Sequence, residues 1–474
     1  MVCAFSLVVA YSFPSRGIGK DGAIQWKIPE DMKRFASITT TRVVEDKLPI
    51  IVMGRKTWDS LPKKPLPNRF NIVLSNNTTK TENNTVFCKF DVLLEIIKQY
   101  NAADTPVDIK VIGGSEIYKL FLTSNLVIDK IYATEVYCKK EPAYDTTFPS
   151  HDLQLSEVSE FKKNQDDDTY FRFLTYTRQE KAWVNTEESN YLTLMREITS
   201  TSCVRNDRTG VGTFNLFGKQ LTYDLTDTFP LCTTKRMFMR GIFEELMLYI
   251  RGQTDNSILT AKDIHVWDGN TSRSFLDKRG LSHYKEGDMG ATYGFNFRHF
   301  GAEYKGCSES YEGCGFDQLG NVIHLIKTEP SSRRMVINLW DPSNNEKAAL
   351  PACLCMYQFY VRNNTHLDLQ IYIRSSDYFL ANNWNTCTGA LLVHLICSLN
   401  GVNLVPGMLS VCMGDIHVYS SHIKQVEENL QRQPFPFPKL IVENKKDSLE
   451  QFEFDDIRLI GYNAHKRIPA PMAV

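Results

Sequence analysis

Neither sign of charge dominates this sequence. Lys and Arg number 54 against 55 Asp and Glu, which gives a formal net charge of -1 at pH 7. A general nucleic-acid surface or a polybasic membrane segment needs an excess of positive charge. The balance therefore argues against both kinds of partner, and we expect neither nucleic acid nor a membrane.

Paired cysteines and long apolar runs are also missing. The 12 cysteines are spread over 474 residues, and no C-x-x-C pair occurs among them. The sequence thus lacks the signature of zinc ribbons and thioredoxin-like sites, and it predicts no metal. Dispersed cysteines are typical of a reducing compartment, so we expect a cytoplasmic protein. No apolar stretch approaches the ~20 residues that cross a bilayer, and residues 2–10 are interpreted as a first strand.

The length allows about two to four domains, and the pattern of the sequence changes once. Up to residue 177, β-branched runs alternate with helical stretches, which predicts an α/β domain on a mixed, mostly parallel sheet. Residues 178–189 are polar and are predicted to form a short linker. Residues 190–474 combine helices with long strands, which predicts an α+β domain.

The hydrophobic periodicity also predicts individual elements. The predicted strands are 7–10, 49–53, 70–74, 108–112, 130–134, 171–176, 334–339, 357–361 and 367–373. The predicted helices are 30–37, 91–100, 190–200, 240–250 and 391–399. Residues 303–320 are predicted to form an inserted loop.

An acidic helix start carries the first candidate site. Pro29 suits the first turn of a helix, and Glu30 and Asp31 favour the positive end of its dipole. Asp31 and Phe35 are four residues apart and share one helix face. A solvated helix start explains this pattern. The alternative is an acid in an apolar pocket beside Trp26, where a raised pKa lets it supply a proton.

Two further strands run into glycine turns at helix N-termini, where backbone N–H groups bind anions. The first turn is residues 54–57 (GRKT), whose two cations suit an additional phosphate. The second is residues 113–115 (GGS). A solvated basic turn and a plain strand-to-helix turn are the alternative interpretations. Neither turn matches G-x-G-x-x-G, which disfavours a Rossmann domain.

In this order and spacing, these motifs resemble the dihydrofolate reductase family over about residues 3–177. The matching residues are Gly17-Ile18-Gly19, Trp26, Asp31, Phe35, Gly54-Arg55-Lys56-Thr57-Trp58, Pro65-Leu66-Pro67-Asn68-Arg69, Leu74-Ser75, Ile112-Gly113-Gly114-Ser115-Glu116-Ile117-Tyr118 and Thr134. The resemblance implies reduction of dihydrofolate with NADPH as cofactor. Gln25 stands where the family usually has proline, and we expect it to loosen the loop over the nicotinamide.

The same resemblance assigns residues to the two ligands. It implies that Asp31 binds the pteridine and assists protonation with support from Thr134, that Met32 and Phe35 flank the substrate rings, and that Arg69 holds the glutamate carboxylate. It implies that NADPH is bound by Ala10, Ile18, Gly19, Gly54, Arg55, Lys56, Thr57, Leu74, Ser75, Gly113, Gly114, Ser115, Glu116, Ile117 and Tyr118.

Cysteines and arginines carry the second candidate site. Cys353 and Cys355 are two apart on a predicted strand, so we expect them to share a face. The arginines near the predicted strands and turns are Arg208, Arg333, Arg334 and Arg374, a set that could bind a phosphate dianion and lower a thiol pKa. Asn385, His417 and Tyr419 add the neutral hydrogen-bonding groups that a nucleoside needs. The alternatives are inert buried cysteines, surface arginines and a core histidine.

This set resembles the thymidylate synthase family from about residue 190 to 474. The matching segments are Cys232-Thr233-Thr234-Lys235-Arg236, Val266-Trp267-Asp268, Tyr293-Gly294, Gln358-Phe359-Tyr360-Val361 and Met472-Ala473-Val474. The resemblance implies methylation of dUMP with 5,10-methylenetetrahydrofolate as cosubstrate, with Cys353 as nucleophile. The resemblance implies that the phosphate of dUMP is held in cis by Arg208, Arg374 and Ser375, and from the partner of a homodimer by Arg333 and Arg334. It implies that the nucleoside is bound by Asn385, His417 and Tyr419, and that the proton transfers are assisted by Glu245 and Tyr293. It implies that the folate is bound by Trp267, Asn270, Asp377 and Val474.

The second half departs from its family pattern at several places. Leu354 stands where a histidine commonly follows the nucleophile. Residues 381–385 (ANNWN) replace Gly-Leu-Pro-Phe-Asn, residues 289–293 (MGATY) replace Leu-Gly-Pro-Val-Tyr, and Asp341 replaces an asparagine. We expect Asn382 and Asn383, which replace Leu-Pro, to add polarity and to remove rigidity beside both ligands.

The sequence therefore predicts a fusion of the two activities, as protozoa and plants have, in which one half makes the dihydrofolate that the other consumes. One alternative is an active reductase joined to a catalytically weak synthase domain that serves as a dimerisation scaffold or binds nucleotide. The other alternative is an RNA-binding regulator, which the charge balance disfavours.

Overall fold

The computed structural model describes residues 4–42, 49–76, 80–102, 108–178, 182–201, 204–206 and 210–471. Two compact units divide the chain, Met1–Trp183 and Val184–Val474. Among the described residues, no helix combines the length and the apolar character that crossing a bilayer would need.

The first unit alternates strands and helices. Its strands are β1 (Ala4–Ser12), β2 (Gly17–Gly19), β3 (Ile50–Gly54), β4 (Phe70–Leu74), β5 (Lys80–Glu82), β6 (Thr85–Cys88), β7 (Asp108–Val111), β8 (Ile128–Tyr137), β9 (Thr146–Thr147), β10 (Gln154–Val158), β11 (Lys162–Lys163) and β12 (Tyr170–Thr177). Its helices are α1 (Pro29–Thr40), α2 (Arg55–Ser60), α3 (Phe90–Ala102) and α4 (Ser115–Thr123).

A mixed sheet runs through this unit in the order β10-β12-β8-β1-β7-β3-β4-β6-β5. Neighbours from β8 to β6 are parallel, while β12, β10 and β5 pair antiparallel at the sides. In β1, Leu7 and Val9 join one apolar core and Val8 joins another. Burial on both faces explains why these strands are continuous apolar runs. The predicted mixed, mostly parallel sheet is confirmed.

The second unit contains the remaining elements. Its strands are β13 (Val204–Arg205), β14 (Thr213–Asp224), β15 (Val336–Asn338), β16 (Leu354–Arg362), β17 (His366–Asp377), β18 (Val405–Tyr419), β19 (Lys439–Val442) and β20 (Ile457–Ile460). Its α-helices are α5 (Thr186–Thr199), α6 (Met239–Ile250), α7 (Ser257–Thr260), α8 (Asp268–Thr271), α9 (Arg273–Lys278), α10 (Tyr293–Arg298), α11 (Gln318–Thr328), α12 (Asn382–Cys397) and α13 (Ile423–Leu430). Short 3₁₀ helices span Pro342–Lys347, Ser420–His422, Leu449–Gln451 and Phe454–Asp456.

The large sheet of this unit has the order β13-β14-β18-β17-β16-β15, in which only β17 and β18 pair in parallel among the described strands. Helices α6 and α12 lie in its core, and nearly every residue of both is buried. The opposite face carries large apolar side chains, with Phe217 79% exposed and Tyr360 60% exposed. One face of the sheet is therefore covered by helices, and the other presents aromatic residues.

Most predicted elements differ from the structure by a few residues at their ends, and three of the larger differences have clear physical reasons. Helix α12 begins at Asn382 rather than at 391, because polar residues in its first turns are buried by tertiary contacts. The predicted strand 334–339 shrinks to β15, since the Val336 N–H bonds to the carbonyl of Arg334 in a tight turn. The predicted loop 303–320 ends at Asp317, whose side chain accepts the N–H of Gly320 at 2.9 Å and caps α11.

The polar strip predicted as a linker contains the start of α5. The side chain of Asn185 accepts the N–H of Glu188 at 3.1 Å, which makes it the N-cap of this helix. Glu188 itself is fully buried. Its carboxylate accepts the N–H groups of Thr233 and Thr234, both at 2.8 Å, and their hydroxyls at 2.6 and 2.8 Å. A charged residue of this polar segment, Glu188, is therefore a buried hydrogen-bonding partner of Thr233 and Thr234 and not part of a solvated surface. The predicted limits of the linker stay a prediction.

Replacing Glu188 by glutamine should destabilise the second unit by about 2–4 kcal/mol, because an amide cannot accept all four hydrogen bonds and leaves buried donors unsatisfied. Chemical denaturation of the full chain, following the transition of this unit, measures the change. Glu197→Gln is the matched control in the same helix, since Glu197 forms an exposed pair with Lys219 and should contribute less than ~1 kcal/mol. Equal effects of the two substitutions would contradict the anchor.

Candidate active sites

The first candidate site is centred on a carboxylate of α1. Asp31 Oδ1 accepts a hydrogen bond from Thr134 Oγ1 at 2.6 Å. Burial raises the pKa of Asp31, while the hydrogen bond from Thr134 and the charge of Arg34 act in the opposite direction. This environment favours the acid in a pocket over the solvated helix start.

Arg34 belongs to this site and was missed from the sequence. Its Nη1 donates to the carbonyl of Ala133 at 2.8 Å, and its Nη2 donates to the carbonyl of Leu174 at 3.3 Å. The guanidinium also lies over the ring of Phe173 at 4.5 Å. Arg34 therefore ties α1 to β8 and β12 and places a fixed positive charge near Asp31. The only signal in the sequence was its spacing of three residues from Asp31.

The opposite end of α1 holds a buried arginine. Arg69 Nη1 donates to Thr39 Oγ1 at 2.6 Å, and its Nε donates to the carbonyl of Pro67 at 2.9 Å. Thr39 and Asp31 are eight residues apart on the helix, which corresponds to about 12 Å at 1.5 Å per residue. Between them, Phe35 packs on an apolar cluster and Met32 is 57% exposed. An acid and a cation thus border an elongated, partly apolar surface.

Glycines shape the backbone where β3 and β7 end. The N–H of Gly54 donates to the carbonyl of Gly113 at 2.7 Å. A Cβ on Gly54 would lie 2.8 Å from Ile117 Cγ1, and Gly113 has φ +119°. Side chains are therefore excluded here, and a ligand can approach the backbone closely. Such a cradle fits a pyrophosphate.

Two helices start at this cradle. Helix α2 follows Gly54 and α4 follows Gly114, and neither N-terminus is capped by a side chain. Unsatisfied N–H groups at helix N-termini bind anions. Arg55 is exposed and pairs with Asp59 at 3.0 Å. Exposed pairs of this kind are weak, so Arg55 remains able to meet a phosphate.

The other residues predicted to bind the cofactor border the same edge. Ala10, Leu74 and Ser75 lie toward the carboxyl ends of β1 and β4, where open α/β sheets bind ligands. Ile18 and Gly19 lie in β2, which pairs with β9. Lys56, Thr57, Ser115, Glu116 and Ile117 lie in the first turns of α2 and α4. Tyr118 is buried, and its hydroxyl donates to the carbonyl of Val8 at 2.6 Å, so it supports the cradle from within the core.

The loop before α1 does not depend on proline for its shape. Gln25 Nε2 donates to the carbonyls of Lys20 and Ala23 at 3.3 and 3.1 Å. The side chain that we expected to loosen this loop bonds to the loop's own backbone, and the loosening itself stays a prediction.

The second candidate site is a cavity of ≈ 670 Å³ in the second unit. The predicted residues that line it are Glu245, Trp267, Asn270, Tyr293, Cys353, Arg374, Ser375, Asp377, Asn385, His417 and Tyr419. Arg333 and Arg334 are exposed and do not line it, and Arg208 and Val474 lie outside the described residues. The residues that line it without having been predicted as site residues include Arg205, Asn206, Asn215, Tyr249, Trp384 and Asp415.

Cys353 lies immediately before β16, between a tyrosine and an arginine. Its N–H donates to the hydroxyl oxygen of Tyr293 at 2.8 Å, and Arg374 Nη2 lies 3.9 Å from its Sγ. Arg374 is held there because it donates to the carbonyls of Pro351 and Ala352 at 3.1 and 2.9 Å. A cation fixed beside a thiol favours the thiolate, which is the nucleophilic form.

Cys355 does not line the cavity that Cys353 lines, so the predicted common face is wrong. It is buried, and burial raises the pKa of its thiol. The register between β16 and β17 pairs Leu354 with Ile373 and then Met356 with Tyr372, which leaves Cys355 as an extra residue. A bulge of this kind breaks the alternation of faces. The sequence spacing alone could not reveal it.

Glu245 is buried on α6 and is held by two indole groups. Trp267 Nε1 donates to its Oε1 at 2.7 Å, and Trp384 Nε1 donates to its Oε2 at 2.6 Å. Burial raises the pKa of Glu245, and hydrogen bonds from Trp384, Trp267 and Tyr249 oppose that shift. The carboxylate is therefore oriented by rigid donors.

The opposite wall of the cavity is formed by β18 and β14. His417 and Tyr419 both line it, as their spacing predicted, and their rings are 5.3 Å apart. Asp415 Oδ1 lies 3.1 Å from His417 Nδ1 and accepts from Asn215 Nδ2 at 2.8 Å. Asp377 accepts the N–H groups of two following residues, which turns the chain into α12. This wall is rich in neutral and acidic hydrogen-bonding groups.

The replaced segment 381–385 is well anchored. Asn383 Nδ2 donates to the carbonyl of Pro230 at 2.9 Å, and its Oδ1 accepts the N–H of Cys232 at 3.1 Å. Asn382 Nδ2 donates to Ser376 Oγ at 3.1 Å. The expected loss of rigidity is therefore wrong, because side-chain hydrogen bonds hold this segment.

Two other departures have simple structural accounts. Asp341 accepts the N–H of Ser343 at 3.0 Å and caps the following 3₁₀ helix. Leu354 is buried and lines the cavity, so it replaces a polar group by an apolar one.

Comparison with known proteins places both halves of the chain in families. The family model for dihydrofolate reductase matches residues 4–178, and that for thymidylate synthase matches residues 189–474. The bifunctional dihydrofolate reductase-thymidylate synthase of Leishmania major is 38% identical over 516 aligned residues, which cover 99% of this chain and 95% of that protein. The proteins of the same name from Zea mays and Paramecium tetraurelia are each 36% identical. The first alignment covers 98% of this chain and 96% of its relative, and the second covers 99% of each.

Replacing Thr134 by valine should raise the pKa of Asp31 further, because its charged form loses a hydrogen bond. A ¹³C NMR titration of aspartate-labelled protein measures this change, with Asp31→Asn providing the assignment. Thr123→Val removes a hydroxyl from α4 that bonds only locally, to the carbonyl of Lys119, and should leave the titration unchanged. An unaltered or lower pKa of Asp31 in the Thr134 variant would contradict the account.

Proposed function

The chain belongs to the family of bifunctional dihydrofolate reductase-thymidylate synthases, and we propose that its two reactions use the residues of the two sites described above. The first unit is the reductase and the second is the thymidylate synthase. Relatives match both units over nearly the whole chain, so the alternative of a catalytically weak synthase scaffold is not favoured.

We propose NADPH as the reductase cofactor. The glycine cradle at Gly54, Gly113 and Gly114 and the uncapped N-termini of α2 and α4 fit its pyrophosphate. The cations of Arg55 and Lys56 suit the additional phosphate that distinguishes NADPH from NADH. When bound, NADPH supplies the hydride for the reduction.

The folate of the reductase would lie along α1. Asp31 pairs with the pteridine and assists its protonation. Thr134 holds the carboxylate in position, and the charge of Arg34 favours its ionised form. Arg69, near the other end of the helix, binds the glutamate carboxylate in the bidentate manner that suits arginine. Met32 and Phe35 flank the rings between these polar ends. The distance of about 12 Å along α1 between Asp31 and Thr39, to which Arg69 is bonded, supports this arrangement.

In the synthase, the geometry around Cys353 supports the chemistry. The thiolate adds to C6 of dUMP, and C5 then attacks the methylene carbon of methylenetetrahydrofolate. Loss of the C5 proton, assisted by Tyr293, releases the folate from the carbon. Hydride transfer from the tetrahydropterin then reduces the methylene to a methyl group, and elimination of Cys353 leaves dTMP and dihydrofolate. The carrying observation is that Cys353, Arg374, Tyr293 and Glu245 meet in one cavity.

The remaining residues of the cavity bind the two substrates. Asn385 reads the uracil, His417 and Tyr419 hold the ribose, and Arg374 and Ser375 contact the phosphate together with Arg208. Asp377, Trp267, Asn270 and Val474 serve the folate. Glu245 organises water for the proton transfers.

We propose a homodimer formed through the synthase sheet. Its outer face exposes Phe217, Tyr360 and Tyr372, the kind of apolar patch that marks an interface. Arg333 and Arg334 are exposed and away from the cavity of their own chain, which suits phosphate binding across a two-fold axis. The dispersed cysteines and the absence of C-x-x-C pairs support the cytoplasm as compartment.

Asp31→Asn should lower dihydrofolate reduction at neutral pH by more than about a hundredfold, because general acid assistance is lost, while NADPH affinity stays within about twofold. Steady-state turnover and fluorescence titration with NADPH measure the two quantities. Glu30→Gln, which removes a surface pair with Lys162, serves as the control and should leave both unchanged. Normal turnover by the Asp31 variant would show that this acid is not the one used.

Cys353→Ser should lower thymidylate formation by more than about a thousandfold, since no other group replaces the nucleophile. Its dihydrofolate reduction should be unchanged. Radiolabelled dUMP with methylenetetrahydrofolate provides the measurement, and Cys314→Ser, at an exposed cysteine, is the control. Thymidylate at the normal rate from the Cys353 variant would rule out this nucleophile.

Mixing subunits extends the same assay to the dimer. A chain carrying Cys353→Ser and a chain carrying Arg333→Glu with Arg334→Glu should each be inactive as synthases. After mixing, one site of the mixed dimer has an intact cysteine and receives intact arginines from its partner, so activity should return. No recovery from mixtures that form mixed dimers would contradict the crossing of these arginines.

A further inference from the structure

Glu245 stands out among the cavity residues because both of its carboxylate oxygens are held by the same kind of donor. Trp267, which precedes α8, and Trp384, in the first turn of α12, donate their indole N–H groups at 2.7 and 2.6 Å. Indole is rigid and donates a single hydrogen bond, so two of them fix both the plane and the rotation of the carboxylate. Two indole donors therefore restrict the orientation of the carboxylate more than one indole and one water molecule would.

The second indole occupies a space that the sequence leaves open for it. Gly241 lies one turn before Glu245 on α6, and a Cβ there would come within 2.7 Å of Trp384 Cη2. Next to Trp384 in the chain, Asn383 anchors the turn through Pro230 and Cys232. The ring is thus held by packing on one side and by the anchored backbone on the other.

This donor is a departure from the family pattern. The family pattern has phenylalanine at this place, which supplies a ring without an N–H group. The family pattern also has histidine at the position of Leu354, so the cavity has lost one polar side chain and gained another. The indole N–H group that is gained donates to the Glu245 carboxylate rather than to solvent.

We propose that Trp384 is a positioning residue for thymidylate synthesis, which holds Glu245 in its ionised form and correct orientation through the indole N–H. The inference rests on the proposed role of Glu245 in the proton transfers at the pyrimidine. It goes beyond that role because it assigns a function to a replaced residue.

Burial disfavours the charged form of Glu245, and hydrogen bonding is the main influence that opposes burial. The titratable groups facing it are Tyr249 on the same helix, Tyr293 on α10 and Tyr357 on β16, and burial raises the pKa of each tyrosine, so all three are neutral. The other charged or titratable side chains of the cavity are Arg205, Cys353, Arg374, Asp377, Asp415 and His417. Arg205, Arg374, Asp377, Asp415 and His417 make ion pairs or hydrogen bonds with other partners. Removing an indole N–H therefore removes a principal stabilisation of the carboxylate.

Trp384→Phe tests the proposal in the full-length protein, because phenylalanine keeps a ring and removes the donor. A hydrogen bond to the charged form favours ionisation, so its loss should move the acidic limb of the kcat profile for thymidylate formation to higher pH. We expect kcat at the acidic end to fall about tenfold and kcat on the alkaline plateau to stay within about threefold, with KM for dUMP little changed. A uniform loss at every pH, or an unshifted limb, would overturn the proposal.

Two further variants separate donation from packing. Incorporation of benzothienylalanine at position 384 replaces only the N–H by sulfur and should reproduce the shifted limb. In a Glu245→Gln background, Trp384→Phe should cause no additional shift, whereas an additional shift would show that Trp384 acts elsewhere. Trp183→Phe, outside the cavity, is the matched control and should leave the profile unchanged. If the wild-type chain made no thymidylate, the proposed function would fail, and that result is distinct from a normal wild type with an unshifted variant.

Discussion

Burying an ionised carboxylate requires hydrogen-bond donors that water no longer supplies, and much of this molecule is arranged to meet that requirement. Asp31 accepts a hydrogen bond from the hydroxyl of Thr134 and is stabilised by the nearby charge of Arg34. Glu245 is met by two indoles. In each case burial raises the pKa of the acid and fixed neighbours oppose the shift, which leaves a group that can serve in proton transfer. The supporting residues come from distant parts of the sequence, so the fold must be complete before either acid is in place.

The sequence was most informative where local physics decides the structure. The continuous apolar strands of the reductase follow from burial on both faces, and the glycines at residues 54 and 113 mark places where a side chain would collide or a positive φ is needed. The spacing of His417 and Tyr419 placed them on one strand face, and the structure confirms it. Such features depend on a few neighbouring residues, which is why a pattern can predict them.

Long-range contacts account for what the sequence could not reveal. The bulge at Cys355 depends on the register of β16 with β17. The start of α5 depends on the cap by Asn185 and on Glu188, which accepts hydrogen bonds from Thr233 and Thr234. Arg34 and Trp384 gain their roles only from partners about 100 or more residues away. The segment 381–385 shows the same limit, since asparagines that looked loosening are buried anchors.

The two units perform consecutive chemistry, because the folate oxidised by the synthase is the substrate of the reductase. The most direct test is NADPH oxidation by the purified full-length protein given dUMP and methylenetetrahydrofolate, with no dihydrofolate added. The account predicts one NADPH oxidised for each thymidylate formed, with the oxidation lost in either Cys353→Ser or Asp31→Asn. NADPH oxidation that persists in the Cys353 variant, or thymidylate formed without any NADPH oxidation, would contradict it.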